Sequence, residues 1–284
     1  MKPEIFTSIK DALQFGQEQL AHHTSALVDS QALLCFVLNR PKAFLYAHAE
    51  DSITKSQLQQ YQTLVQRRKI GEPLAYLTGE KEFWSLPLKI NESVLIPRPE
   101  TELLVELALE SIEITSCASV LDLGCGSGAI AIAVAHERPN SNVFGVDSSA
   151  DAVGLSQSNA NRLGLSNTDF KQSNWFNDIP EQRFDLILSN PPYIANDDPN
   201  VEPEVTAYEP NSALYSKDTG LADLTHIIQT AKSYLKPRGK LIVEHGWQQG
   251  SQVRELLQQS GYSQIKTSTD LNDNPRCTQG LNDT

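Results

Sequence analysis

The sequence predicts an α/β protein with a doubly wound, mainly parallel sheet, preceded by a small all-helical N-terminal domain. Helical periodicity without β-type alternation runs from residue 5 to about residue 70. From Ser119 onward, short apolar runs typical of buried strands alternate with helical patterns. A glycine-rich loop directly follows the first of these strands. The length of 284 residues is sufficient for both domains.

Residues 1–73 form the predicted helical domain. Thr54 and Gln57 have the spacing of a capping box, so a helix should begin there. Gly71 and Pro73 should end that helix, and with it the domain. The apolar residues between these signals fall on one helical face: Leu58, Tyr61, Leu64 and Val65.

A hairpin-like connector is predicted over residues 74–99. Apolar and polar residues alternate weakly in 83–90 and again in 94–96, which is typical of short, half-buried strands. A helix is expected over residues 100–111, because it follows Pro99 and has acidic residues in its first turn.

Residues 100–284 form the predicted sheet domain. Strands are expected at 120–121, 143–146, 169–171, 184–188 and 240–244, with two further short strands near the end of the chain. Helices are expected at 129–136, 150–163, 221–235 and 252–259. Such alternating units are joined by right-handed crossovers, and ligands bind at the carboxyl ends of the strands.

Charge argues against a nucleic-acid-binding protein. The formal net charge is −12, and residues 1–80 contain eight basic and eight acidic side chains, so residues 81–284 carry the whole acidic excess. Binding to duplex DNA or RNA favours a basic footprint, which this composition lacks. We therefore expect no direct nucleic-acid partner.

The sequence also gives no signal for a membrane span, a leader or a metal site. No apolar run exceeds seven residues, whereas a span needs about 20. The first residues, Met1 to Glu4, lack the apolar region of a secretory leader. The four cysteines have no Cys-x-x-Cys spacing, so neither zinc nor a disulfide framework is indicated. We expect a cytoplasmic protein without a metal.

The glycine-rich loop and a downstream aspartate indicate a nucleoside-containing ligand. The loop consists of Gly124, Cys125, Gly126, Ser127 and Gly128. Asp147 ends the next strand, 23 residues after Gly124, where a carboxylate accepts hydrogen bonds from ribose hydroxyls. Gly124, Gly126 and Ala129 also satisfy the dinucleotide pattern, so a non-catalytic NAD- or nucleotide-binding module stays open at this point.

The segment Asn190-Pro191-Pro192-Tyr193 directly follows the predicted strand 184–188. Its two prolines lack backbone donors but keep their carbonyl acceptors. A planar NH2 group could donate one hydrogen to the Asn190 side chain and the other to the Pro191 carbonyl, while Tyr193 packs on its face. The segment therefore suits an amide or an aromatic amine as substrate.

These motifs together resemble class I S-adenosylmethionine-dependent methyltransferases that act on planar nitrogens. Three more blocks, Pro-Leu-Ala-Tyr-Leu-Thr-Gly at 73–79, Pro-Arg-Pro-Glu-Thr-Glu at 97–102 and Tyr-Glu-Pro at 208–210, are similar to the HemK family. The resemblance covers nearly the whole chain. It implies a Rossmann-like methyltransferase sheet and transfer of a methyl group to N5 of a glutamine in peptide chain release factors.

The resemblance also implies roles for individual residues. Residues 124–128 would line the methionine and ribose part of S-adenosylmethionine, and Asp147 would hold its ribose. Trp175 would lie against the adenine, although a plain core tryptophan is the alternative. Residues 190–193 would receive the substrate glutamine. Arg98 would order the entrance or a carboxylate, the alternative being a structural ion pair with Glu100 or Glu102.

Two departures from the family pattern leave local contacts open. Asn174 stands where many relatives have aspartate, and residues 216–220 replace a more glycine-rich stretch.

The implied partner is a release factor, whose Gly-Gly-Gln loop would bring its glutamine into the pocket of a monomeric enzyme. The helical domain, residues 1–73, would recognise the substrate through a second contact area. A ribosomal protein is an alternative substrate, favoured less because of the block at 97–102. Adenine-N6 methylation of DNA uses a similar NH2 clamp, but it needs base flipping and a basic channel.

Overall fold

In the computed structural model of this chain, the structure describes residues 8–179, 182–196, 198 and 203–284. The chain divides after Gly79 into a helical unit and a larger α/β unit. The sequence placed the end of the helical domain at residue 73. The difference comes from a short helix, 74–78, which packs within the first unit.

The helical unit is built around a small apolar core. Its helices are α1 (Ile9–Gln19), α2 (Ala26–Leu38), α3 (Lys42–Ala47), α4 (Lys55–Lys69) and α5 (Leu74–Thr78). The predicted capping box begins α4, where Thr54 Oγ1 accepts from the Gln57 amide at 3.2 Å and Gln57 Oε1 accepts from the Thr54 amide at 3.0 Å. Tyr61, Leu64 and Val65 are buried on the predicted face of this helix.

The α/β unit opens with a hairpin and continues with a seven-stranded sheet. Its strands are β1 (Glu80–Phe83), β2 (Leu86–Lys89), β3 (Ser119–Leu123), β4 (Asn142–Asp147), β5 (Thr168–Gln172), β6 (Phe184–Ser189), β7 (Ile194–Ala195), β8 (Tyr215–Ser216), β9 (Leu235–Glu244), β10 (Ser263–Thr269) and β11 (Pro275–Leu281). β1 and β2 form the hairpin expected in the connector, whereas 94–96 is not a strand.

Helices and short helical turns connect these strands. They are a 3₁₀ helix (Pro99–Thr101), α6 (Glu102–Ser111), α7 (Ala129–Glu137), α8 (Ala150–Arg162), α9 (Pro203–Tyr208), α10 (Asn211–Leu214), the single turn α11 (Lys217–Gly220), α12 (Ala222–Tyr234) and α13 (Gly250–Gln259). No helix in the described part of the chain is both long and apolar enough to span a bilayer.

The sheet has the order β10-β11-β9-β6-β3-β4-β5. β5, β4, β3, β6 and β9 pair in parallel, and the β10–β11 hairpin adds antiparallel strands at one edge. The central strand β3 is almost wholly buried, as expected for a parallel sheet covered on both faces. From β3 the chain winds first toward β5 and then resumes at β6 on the other side. The switch point between β3 and β6 is where such sheets bind ligands.

Candidate active site

The glycine-rich loop joins β3 to α7 and crosses the carboxyl end of β4. The backbone amides of Gly124 and Cys125 both donate to the Val146 carbonyl oxygen, at 2.8 and 2.9 Å. Gly124 and Gly126 have φ values of +73° and +55°, which are strained for residues with a side chain. A Cβ at Gly126 would project into open space, so the loop leaves its backbone accessible there.

Asp147 holds the loop from the end of β4. Its Oδ2 accepts from the Gly126 amide at 2.9 Å, and its Oδ1 accepts from the Ser149 amide at 2.9 Å. Each carboxylate oxygen has a further lone pair, so both remain able to accept another hydrogen bond. The carboxylate is thus fixed in place before any ligand binds.

Two buried polar residues of α8 brace the loop, and sequence reasoning missed both. Ser156 Oγ donates to the Gly126 carbonyl at 2.7 Å, and Asn159 Nδ2 donates to the Ser127 carbonyl at 2.9 Å. Their spacing of three residues could have indicated them, because it puts them on one helical face together with Ala152 and Ala160.

A cavity of about 280 Å³ lies at the carboxyl ends of the parallel strands. It brings together eight of the residues predicted from the sequence: Gly124, Cys125, Gly126, Ser127, Asp147, Trp175, Asn190 and Pro192. Gly128, Pro191 and Tyr193 are not among its lining residues. Gly128 instead begins α7 with a φ of +82°, and a Cβ there would lie 2.9 Å from Ile132 and 3.1 Å from Ser156.

Trp175 lies at the cavity wall beside the glycine-rich loop. An ideal Cβ at Gly124 would lie 3.4 Å from the Trp175 ring, so the indole and the loop backbone are in close contact. The ring is half-buried and also packs against the core cluster of the sheet. Both the predicted platform and the core role therefore agree with its position, and the adenine contact stays a prediction.

Asn190 follows β6 and directs its side chain toward the cavity. Its Nδ2 donates to Oγ1 of Thr101 at 3.1 Å. Within the described residues, no donor reaches its Oδ1. Because the NH2 end is occupied by Thr101, the carbonyl end of the Asn190 amide remains available as an acceptor.

Tyr193 packs against the core of the sheet and bonds to the end of β9. Its hydroxyl donates to Glu244 Oε1 at 3.2 Å, and its ring packs against the core cluster. Pro191 is buried, and the Tyr193 carbonyl accepts from Gln249 Nε2 at 3.0 Å. The structure thus assigns Tyr193 contacts that anchor the turn, and its packing on a substrate amide stays a prediction.

Two buried carboxyl groups lie close to the site, and sequence reasoning assigned neither a role. Burial raises the pKa of Glu244 to about 7, and it also raises the pKa of Asp122 to about 7. Asp122 Oδ2 accepts from the Ala131 amide at 3.1 Å, which ties β3 to the first turn of α7. Glu244 ends an apolar strand and precedes His245, a change from apolar to ionisable residues that could have singled it out.

Arg98 forms an ion pair with a residue distant in sequence. It contacts Glu209 Oε1, so the alternative pairing with Glu100 or Glu102 is wrong. Glu209 is buried, and its Oε2 also accepts from the Ile96 amide at 3.0 Å. Glu102 has a different partner: its Oε1 accepts from the backbone amide of Trp84 at 2.8 Å. Arg98 itself lines the cavity, so the pair orders one edge of it.

The chain is similar to known proteins over most of its length. A family model described as a methyltransferase domain matches residues 114–280, and one described as the PrmC N-terminal domain matches residues 11–79. The release factor glutamine methyltransferase of Salmonella typhimurium is 47% identical over 262 residues, which cover 92% of this chain and 94% of that protein. The protein of that name from Escherichia coli is 45% identical over the same shares.

The chain belongs to the release factor glutamine methyltransferase family. This membership confirms the resemblance drawn from the sequence motifs. A crystal structure of a methyltransferase from Pyrococcus furiosus shares the fold, with a TM-score of 0.54 and 17% identity over 78% of this chain and 98% of that one. The predicted Rossmann-like methyltransferase sheet is thereby confirmed as well.

For a member of this family, the cavity offers two separate chemical environments. The glycine-rich loop, Asp147 and Trp175 form one wall, with backbone amides, a fixed carboxylate and a flat aromatic ring. Asn190 and Pro192 form the other, with an available carbonyl acceptor. Both sets of residues line the same cavity.

Proposed function

We propose that this protein transfers a methyl group from S-adenosylmethionine to N5 of the glutamine in the Gly-Gly-Gln motif of peptide chain release factors. The observation that carries this proposal is the orientation of Asn190. Its NH2 end is held by Thr101, and its carbonyl end remains available at the cavity. That orientation suits a substrate that donates from a primary amide.

The residues of the first wall fit S-adenosylmethionine. Asp147 keeps lone pairs for the ribose hydroxyls, and the backbone at Gly126 leaves room for the cofactor to approach. The half-buried Trp175 ring offers the adenine an aromatic face. When bound, S-adenosylmethionine supplies a methyl group on a positively charged sulfur, which a nucleophile can take directly.

Asn190 and the turn that follows it would make the amide nitrogen reactive. A glutamine amide is a poor nucleophile because its lone pair is delocalised into the carbonyl. Asn190 Oδ1 would accept one amide hydrogen. The backbone carbonyl of Pro191, which lies between the cavity-lining residues Asn190 and Pro192, would accept the other. Both acceptors would stabilise the positive charge that grows on nitrogen, and they would hold that nitrogen in line for attack.

This mechanism needs no general base. Asn190 is a neutral amide and too weak a base to remove a proton before transfer. The new N–C bond would form as the S–C bond of the donor breaks, and the extra proton on nitrogen would then leave to water. The contribution of the protein is therefore positioning and transition-state electrostatics.

Partner and setting follow from the same proposal. The acidic excess of residues 81–284 would favour association with a basic protein surface through long-range attraction. We propose that the enzyme acts as a monomer in the cytoplasm, where release factors act, and that it contacts no nucleic acid directly.

Mass spectrometry of a release factor tests the function. The purified protein is incubated with S-adenosylmethionine and a full-length release factor, and the peptides are then mapped. We expect one added methyl group on the glutamine of the Gly-Gly-Gln motif, and none when that glutamine is replaced by glutamate. Parallel incubations with ribosomal proteins and with DNA test the other substrates. Methylation of either of these, with an unmodified release factor, would overturn the proposal.

A further inference from the structure

Thr101 is the residue through which the cavity wall holds the Asn190 side chain. It ends the 3₁₀ helix before α6, is 4% exposed and lines the cavity. Its Oγ1 accepts from Asn190 Nδ2 at 3.1 Å. A threonine hydroxyl carries one proton, so while it accepts from Asn190 it still has that proton to donate.

Glu244 provides an acceptor for this proton. The residue is 1% exposed at the end of β9, and its Oε1 accepts from the Tyr193 hydroxyl. The Thr101 hydroxyl interacts with the same carboxyl group and lowers its pKa. Within the described residues, Glu244 Oε2 is buried and has no partner that meets hydrogen-bond geometry. The Thr101 hydroxyl thus has a proton to donate, and Glu244 has one buried oxygen able to accept a hydrogen bond.

The sequence of groups from Glu244 through Thr101 to Asn190 determines which group donates and which accepts in each hydrogen bond. An ionised carboxylate only accepts, so hydroxyls that face it must donate to it. Thr101 would then present its lone pairs to Asn190, and only the NH2 end of Asn190 can donate to them. The Asn190 oxygen is thereby turned toward the cavity.

We propose, on the basis of the function proposed above, that Thr101 and Glu244 are positioning residues that fix the Asn190 amide with its oxygen toward the substrate. Without them, the Asn190 amide is free to turn over. It would then present its own NH2 group to the NH2 group of the substrate glutamine, and two donors would face each other. Neither residue needs to touch the reacting atoms for this effect.

Paired variants of Thr101 test the hydroxyl itself. Thr101→Val removes it at nearly constant volume, and Thr101→Ser keeps it. We expect kcat to fall roughly 10- to 100-fold in Thr101→Val, with little change in cofactor affinity. This is less than the roughly 10²- to 10³-fold loss of a direct preorganised contact, because Thr101 acts through Asn190. Thr101→Ser should retain most of the activity. The proposal fails if Thr101→Val keeps wild-type kcat, or if both variants lose activity equally.

A second threonine serves as the matched control. Thr168 begins β5, at the end of the sheet opposite the cavity, and its buried hydroxyl has no partner among the described residues. Thr168→Val makes the same chemical change away from the site. We expect its kcat to equal that of the wild type. An equal loss in both valine variants would show a general effect of the substitution and would overturn the assignment to Thr101.

The pH profile of kcat tests Glu244. Besides Thr101, the groups that affect the pKa of this carboxyl are Tyr193, Arg276 and Glu100. Cys277 on β11 lies opposite Glu244 in the pairing of β11 with β9. Its pKa of about 7 predicts that wild-type kcat rises with pH through about 7, as the acceptor-only carboxylate forms. Glu244→Gln should lose this rise. An unchanged rise in Glu244→Gln would overturn the role of Glu244.

A nuclear magnetic resonance measurement separates this inference from the proposed function. The side-chain NH2 signals of Asn190 are assigned by their loss in Asn190→Asp. Thr101→Val should shift these signals and speed their hydrogen exchange, whereas Thr101→Ser should not. If wild-type protein fails to methylate a release factor while these signals respond as expected, only the proposed function fails. Unchanged signals in Thr101→Val would overturn the inference in either case.

Discussion

The backbone of Gly220 lies directly against the carbonyl oxygen of Tyr193, so a Cβ at residue 220 would overlap that oxygen. The φ of Gly220 is +85°, a value that residues with side chains rarely adopt. The same Tyr193 carbonyl accepts from Gln249 Nε2 at 3.0 Å. The turn that carries Asn190 is therefore supported at its far end by a bare backbone and by a side-chain amide.

Gly220→Ala should displace this turn and lower activity. The new methyl group would push the Tyr193 carbonyl away, and the left-handed backbone would add strain of about 1–3 kcal/mol. We expect a lower melting temperature together with a loss of kcat, measured by thermal unfolding and by methyl transfer. Gly154→Ala is the matched control, because Gly154 lies within α8 with nothing within 4 Å of an ideal Cβ. That change should stabilise the helix by about 1 kcal/mol and leave kcat unchanged.

Asn190→Ala should remove catalysis while leaving the fold intact. The substitution deletes the available carbonyl acceptor at the cavity, so kcat should fall by roughly 10²-fold or more. Asn161→Ala, an exposed change on α8, is the control and should keep wild-type activity. Steady-state methylation of a release factor measures both. Wild-type turnover in Asn190→Ala would contradict the proposed amide clamp.

Much of this fold can be predicted from the sequence, because its signals are local. The capping box at Thr54, the apolar strands and the glycine loop each depend on residues close together in the chain. The position of Asn190 was also predictable, since a residue that directly follows a parallel strand lies at its carboxyl edge. Local patterns thus predict which residues lie at this edge of the sheet.

The partners of the site residues could not be predicted, because they are distant in sequence. Asn190 and Thr101 are 89 residues apart, and Arg98 and Glu209 are 111 residues apart. As an alternative for Arg98, sequence reasoning offered the nearby partners Glu100 and Glu102, whereas the fold brings Glu209 to it. Which acid meets a given base depends on how the segments after β2 and after β7 come together, and no local pattern encodes that.

The Arg98–Glu209 pair should couple strongly in a double-mutant cycle. Glu209 is 5% exposed and binds both the Arg98 guanidinium and the Ile96 amide, so removing Arg98 leaves a buried carboxylate with one partner fewer. Because Arg98 is partly exposed, we expect a coupling energy of roughly 1–3 kcal/mol, below that of a fully buried pair. Urea unfolding of Arg98→Ala, Glu209→Ala and the double variant measures it. Additive effects of the two changes would contradict the ordering role of this pair.

The two buried carboxyl groups should make stability depend on pH in an unusual direction. Burial raises the pKa of Glu244 from 4.5 to about 7 and that of Asp122 from 3.8 to about 7. The folded protein therefore holds these protons more tightly than the unfolded chain does. The contribution of these two groups to the free energy of unfolding is fully present below a pH of about 4. It is lost as the pH rises toward 7 and does not change further above that.

Neutral variants should reduce this loss of stability. At about 1.4 kcal/mol per pKa unit, the Glu244 shift corresponds to roughly 3 kcal/mol between these limits. Glu244→Gln and Asp122→Asn should each flatten the decline in the free energy of unfolding between pH 5 and 7, relative to the wild type. Urea titrations across that range measure it, with the exposed Asp151→Asn on α8 as control. The free energy of unfolding of both variants could instead decline as steeply as that of the wild type. The two carboxyl groups would then be ionised in the folded protein throughout this range, and the expected rise of kcat with pH through about 7 should also be absent.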